Sequence, residues 1–343
     1  MKKTHIVALF LITVLAIAAA ATALNLNTFG GREKSVTLRI FHAGSLSVPL
    51  KEVAEKFEEE NPGAKVDLEP SGSVLAVRKI TELHKTADVL MTADYRLIND
   101  MLPKYAEFNI AFASNKMVLA YTNRSKHSEE INSDKWFEIL MKKDVKYGFS
   151  NPNDDPCGYR AIMVLALAEK SYGLDLLKKL VADKSNAIVK KSGDEYFIGV
   201  PSDFAPKPGS SLVIRSKSVD LIALLEAGAL DYAFEYKSVA VQHGLKYVEL
   251  PPEIDLSDPG FDGEYGKIHV YLFYGTDKQK EVVGKSIVYG LTIPKCAEHK
   301  DLAIKFVNLL LSDVGKEIFE RSGQPFLSDF KTYGKVPEEI RLK

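Results

Sequence analysis

The chain has 343 residues, 46% of them hydrophobic, and a formal net charge of −1. That length and apolar content fit two domains or one large one, and the near-zero charge excludes a basic field for nucleic acid or anionic membranes. The two cysteines, Cys157 and Cys296, form no metal or redox motif, although a disulfide between them is open to an exported protein.

Lys2 and Lys3 precede an uncharged apolar run over residues 6–24, with small residues at Ala20, Ala21 and Ala23. This fits both a cleaved signal peptide and an uncleaved membrane anchor, so 1–24 is read as one or the other and residues 25–34 as a linker. Either way the mature chain is expected outside the cytoplasm, touching the membrane surface through this segment if it is uncleaved.

From residue 36 onward short apolar runs alternate with helical periodicity. A strand over 36–41 leads through His42-Ala43-Gly44-Ser45 into a helix carrying Leu50, Val53, Ala54 and Phe57 on one face, stopped by Asn61-Pro62-Gly63. A strand over 64–68, the turn Pro70-Ser71-Gly72-Ser73 and a helix over 74–83 repeat the pattern, and a strand over 87–91 precedes a helix near 95–102. Residues 112–121 read as a long strand crossing into a second lobe. That lobe supplies a strand at 147–150, the loop 151–159, a helix over 161–170, a strand at 211–215, a helix ending at Gly228 and a strand at 232–236. Residues 287–293 are expected to return to the first lobe, and 302–319 to form one C-terminal helix. The fold class is therefore α/β with two lobes, each a mostly parallel sheet flanked by helices, joined by a two-strand hinge: residues 35–116 and 294–343 in one lobe, 117–293 in the other.

Four units share one grammar, an apolar strand, a Ser- and Gly-rich turn and a helix start: Gly44-Ser45, Ser71-Gly72-Ser73, Asp155-Pro156-Cys157-Gly158 and Ser216-Lys217-Ser218. Ligands of open α/β sheets bind beyond the carboxyl ends of strands, where helix starts offer free N–H groups and partial positive charge. Two such turns from each lobe suit a small anion. A serine there also serves as an ordinary N-cap. A secreted hydrolase using Ser45 or Ser73 is the reading from another class; it lacks the G-x-S-x-G elbow and a placed base.

The strings Phe41-His42-Ala43-Gly44-Ser45-Leu46, Ser71-Gly72-Ser73, residues 87–95 (ADVLMTADY), Asp155-Pro156-Cys157-Gly158-Tyr159 and residues 231–240 (DYAFEYKSVA) resemble the molybdate- and tungstate-binding proteins of the type II periplasmic class, in their archaeal branch. The resemblance runs from about residue 37 to 327. It implies a monomer that closes two lobes on the oxyanion and delivers it to an ABC permease with its ATPase subunit, without cofactor or catalysis. By motif position it implies that Gly44, Ser45, Ser73, Asp155, Pro156, Cys157, Ser218 and Tyr236 surround the anion, with Asp155 approaching the tungsten or molybdenum. Where the family carries a second carboxylate this chain has Ser218; Asp220 and Glu235 stand nearby in sequence, and Glu235 equally fits a strand residue facing away. The departure leaves phosphate or an organic anion as alternative ligands.

Overall fold

The computed structural model describes residues 35–342. The leader or anchor expected over 1–24 and the linker over 25–34 lie outside the described residues; among those described, no helix is long and apolar enough to cross a membrane.

In chain order the strands are β1 (Val36–Ala43), β2 (Ala64–Ser71), β3 (Val89–Thr92), β4 (Phe108–Ser114), β5 (Met117–Tyr121), β6 (Tyr147–Ser150), β7 (Ile188–Ser192), β8 (Glu195–Pro201), β9 (Leu212–Arg215), β10 (Tyr232–Tyr236), β11 (Lys246–Glu249), β12 (Ile268–Tyr274), β13 (Lys280–Val283), β14 (Val288–Thr292) and β15 (Phe326–Gly334). They form a six-stranded sheet β15-β4-β14-β3-β1-β2, a five-stranded sheet β11-β5-β10-β6-β9 and a four-stranded sheet β13-β12-β8-β7. The first two sheets are the cores of two α/β lobes.

Both sheets are more mixed than the strand–helix alternation suggests. β1, β2 and β3 run parallel, as do β6, β9 and β10, with long crossovers containing helices joining β1 to β2, β2 to β3, β6 to β9 and β9 to β10. β5 and β14 run antiparallel to their neighbours, because both enter from the other lobe. The strand read over 112–121 breaks at Asn115-Lys116, and its halves β4 and β5 belong to different sheets. β14 pairs with β3 and β4, so the segment 287–293 returns to the first sheet as expected, and the lobe boundary drawn at 293 falls after this strand and not before it. The third sheet was not expected.

The helices follow their apolar faces. Ser47–Glu60 buries Pro49, Leu50, Val53, Ala54 and Phe57, and its last turn is closed by Asn61, whose Nδ2 donates to the Phe57 carbonyl at 2.9 Å. Phe57 meets Phe306 edge-on at 5.3 Å, which seats the Lys300–Leu310 helix beside it. The expected single C-terminal helix is two, Lys300–Leu310 and Asp313–Arg321, broken at Leu311-Ser312. In the second lobe the Pro156–Tyr172 helix is buried without interruption from Pro156 to Ala168. Both cysteines are free thiols, Cys157 buried and Cys296 part-exposed, so the disulfide reading is not met.

Candidate functional site

The four turns do meet, between the ends of the two larger sheets. Gly72 lies so close to the second lobe that a Cβ there would sit 2.2 Å from the Asp154 carbonyl oxygen, and the Leu75 N–H donates to that same oxygen at 3.2 Å. A Cβ on Gly44 would stand 3.0 Å from Val219 Cγ2. Ser45, Ser73, Asp155, Pro156, Cys157, Ser218 and Tyr236 are all buried, so this is a closed cleft. An open cavity of about 1030 Å³ lies elsewhere, between the Asn61–Ala64 turn and the start of the Lys300–Leu310 helix.

Three hydroxyls at the cleft have a fixed donor on their acceptor side. The Ala93 N–H donates to Ser73 Oγ at 2.9 Å. Arg160 Nη1 donates to Tyr236 Oη at 2.7 Å. Asn115 Nδ2 donates to Tyr289 Oη at 3.2 Å, and Tyr289 Oη stands 2.9 Å from Ser45 Oγ. Asn115 Oδ1 accepts the Lys116 N–H, which fixes its amide group in this orientation. Ser73 and Tyr236, each accepting from an amide or guanidinium donor, keep a proton to give, and the hydroxyl pair Ser45–Tyr289, in which either can donate to the other, keeps one between them. Among the described residues no acceptor takes those protons.

Asp155 caps the Pro156–Tyr172 helix: Oδ1 accepts the Cys157 N–H at 3.3 Å and Pro156 fills the first turn. Its Oδ2 accepts the Ser218 N–H from the other turn at 2.9 Å. Burial pushes this carboxyl up to about 6, against the pull of those two N–H groups. Glu235 is fully buried behind it; Oε2 accepts the Tyr236 N–H at 3.3 Å and Oε1 has no hydrogen-bond partner. Burial, with the Asp155 charge second, pushes Glu235 up to about 8, so it carries a proton at neutral pH. The reading of Glu235 as a strand residue facing away is therefore corrected. Asp220, the other substitute carboxylate, pairs instead with Lys217 at 3.5 Å in a part-exposed position. The Cys157 thiol is raised by burial and by the Glu235 and Asp155 charges, and its Sγ donates to the Phe234 carbonyl.

Arg160, Asp94, Asn115 and Tyr289 were not anticipated. Arg160 had a signal: it is the lone charge at the head of the apolar run 161–168. The hydrolase geometry is not met, because neither Ser45 nor Ser73 bonds a histidine and His42 Nδ1 lies 2.9 Å from the Ala43 carbonyl.

Two α/β lobes closed over a buried cradle of proton donors define a solute-binding protein. The chain belongs to the bacterial extracellular solute-binding protein family, whose pattern matches residues 38–324. It is 48% identical over 312 residues, 90% of this chain and 88% of the other, to an uncharacterized solute-binding protein of Staphylothermus marinus. It is 45% identical over 317 residues, 90% of each chain, to the molybdate/tungstate-binding protein WtpA of Pyrococcus abyssi, and 44% identical over 317 residues to WtpA of Thermococcus kodakarensis, covering 90% of this chain and 87% of that one. Among solved structures the fold resembles the periplasmic molybdate-binding protein of Azotobacter vinelandii (TM-score 0.56, 17% identity, 84% of this chain and 98% of that one) and the sulfate-binding protein SubI of Mycobacterium tuberculosis (TM-score 0.57, 12% identity, 84% and 86%).

Proposed function

We propose that the protein captures tungstate or molybdate in the closed cleft, without catalysis or cofactor, and delivers it to an ABC permease and its ATPase subunit at the outer face of the cell membrane. The observation that carries this reading is the common polarity of Ser73 and Tyr236, each backed by a fixed donor and each with a proton left to give, beside the Ser45–Tyr289 hydroxyl pair, which has one proton to spare. Such a cradle fits a fully deprotonated oxyanion and misfits a cation or a ligand that must donate. Gly44 and the Pro156-Cys157 helix start line the same closed space, and the relatives named for molybdate and tungstate match over nine-tenths of the chain.

Asp155 narrows the choice. A dianion roughly 4 Å from one carboxylate is repelled by about 8 kcal/mol at an effective dielectric of 20. The carboxylate is tolerated if it bonds the central metal atom or if one of the two acids holds a proton. Tungsten and molybdenum accept an added oxygen ligand; the sulfur of sulfate does not. Asp155, raised only to about 6 and so ionised at neutral pH, supports a second reading, hydrogen phosphate, whose proton that carboxylate would accept. Isothermal titration with tungstate, molybdate, sulfate and phosphate tests both. Heat with the two metal oxyanions and none with sulfate is expected; heat with phosphate alone selects the second reading, and no heat with either metal oxyanion overturns the first.

A further inference from the structure

We propose that Arg160 is a positioning residue that joins closure of the lobes to the donor polarity of the site; the proposal rests on the oxyanion reading above. Arg160 belongs to the second lobe, at the start of the Pro156–Tyr172 helix, and its guanidinium is buried. Nη1 donates to the Ala93 carbonyl of the first lobe at 2.6 Å and to Tyr236 Oη of its own lobe at 2.7 Å. The same Ala93 peptide gives its N–H to Ser73. One nitrogen therefore connects two of the three donor hydroxyls, one from each lobe.

The hydrogen bonds around it are incomplete. Asp94 of the first lobe lies 3.5 Å from Arg160 Nη2, yet its carboxylate is already engaged by Arg96 at 2.7 and 3.0 Å and by the Tyr159 hydroxyl at 2.8 Å. Two guanidinium groups, Arg160 buried and Arg96 part-buried, share the Asp94 carboxylate; Asp155 is the other carboxylate in electrostatic reach of Arg160, whose Nε and Nη2 make no hydrogen bond. A buried cation so placed is costly unless an anion lies within reach. Burial works against the Arg160 charge, but Tyr236, Tyr159 and Asp94 outweigh it, so the group stays charged.

Opening the lobes removes Ala93 and Asp94 from Arg160, because they follow β3 of the first sheet. The guanidinium is then hydrated and no longer held against Tyr236, whose hydroxyl is free to turn. The complete donor array exists only in the closed form. A ligand that reads the array binds that form better, and this difference in affinity is what drives closure. A lysine supplies the charge, but its shorter side chain ends before the position from which Nη1 reaches both Ala93 and Tyr236.

The test compares wild type, Arg160→Lys, Tyr236→Phe and the double variant, in a Cys296→Ser background carrying dyes at Lys51→Cys and Lys190→Cys, one on each lobe. Titration with tungstate is expected to show a loss of about 30-fold for Arg160→Lys, the size of a lost charge-assisted hydrogen bond. The double variant is expected to lose little more than Arg160→Lys alone, since Arg160 acts through Tyr236. Wild-type affinity in Arg160→Lys, or losses that multiply in the double variant, overturns the proposal. Energy transfer between the dyes in ligand-free protein gives the closed fraction without any anion. It is expected to fall about fivefold or more in Arg160→Lys, the size of one lost hydrogen bond, and an unchanged fraction overturns the coupling. If wild type binds neither tungstate nor molybdate, the ligand assignment fails and this second measurement still decides the coupling. If Arg160→Lys does not fold, Tyr236→Phe decides alone, because it removes the acceptor and keeps the cation: it must lose both affinity and closed fraction.

Discussion

The Asp155 carboxylate accepts the backbone N–H of Ser218 at 2.9 Å. Position 218 therefore holds the Asp155 carboxylate through its backbone, whatever its side chain. Proline at 218 isolates that bond. Lys217 before it is extended, at φ −134° and ψ 154°, as a residue preceding proline should be, and Ser218 starts a short helical turn. Ser218→Pro is expected to cost about 1.5–3 kcal/mol above pH 7, where Asp155 is ionised and the lost bond was charge-assisted. Below pH 5, where Asp155 holds a proton, the cost should shrink. Urea denaturation of both proteins at pH 5 and 8 measures it; an equal cost at both values refutes this account of the bond.

Glu235 should make stability depend on pH. Its folded value, about 8, lies above its ordinary 4.5, so the folded protein binds the extra proton. The associated stability is complete below pH 4.5 and is lost as pH rises through 8. Asp155 adds a smaller loss of the same sign between 3.8 and about 6. Glu235→Gln removes the larger contribution, so wild type should fall relative to the variant by a few kcal/mol between pH 4.5 and 8.5. Parallel stability curves for the two proteins would show that Glu235 does not titrate there.

Tyr289 relays the Asn115 amide to Ser45, and both relay residues sit at the crossovers between lobes. Tyr289→Phe removes the relay while Asn115 keeps its 2.8 Å bond to Ser238 Oγ. Oxyanion affinity is expected to fall about 5- to 30-fold, one lost hydrogen bond of about 1–2 kcal/mol, with a stability change near 1 kcal/mol. Titration and thermal unfolding read the two effects. A stability loss with unchanged affinity would make Tyr289 a structural residue only.

The strand-to-helix turns were legible because Ser, Gly and Pro at strand ends have local causes: caps, tight turns and a helix start at Asp155-Pro156. What lay between elements was not. Arg160, Ala93 and Asp94 are distant in sequence, and nothing local reports their contact. The side of Glu235 was hidden because every residue of β10 is buried, which removes the period-two pattern that tells one face from the other. β7 escaped notice for the opposite reason: Ile188–Ser192 is largely exposed and shows no alternation. The break at Ser312 carries neither Gly nor Pro, so the helical period runs through it in sequence.

Gly72 offers a way to separate closure from folding. Its φ of −62° and ψ of 143° suit any residue, so alanine costs nothing in backbone strain. The obstacle is the other lobe: the added Cβ would stand 2.2 Å from the Asp154 carbonyl oxygen, which is backbone and has no room to turn aside. In the open form that oxygen is withdrawn and the methyl group meets solvent. Gly72→Ala should therefore keep wild-type thermal stability in ligand-free protein, remain expanded in small-angle scattering when the anion is added, and lose at least about a hundredfold in affinity, equivalent to roughly 2.7 kcal/mol of closed-state contacts. Compaction with anion at wild-type affinity would mean that the lobes do not close against each other at Gly72 and Asp154.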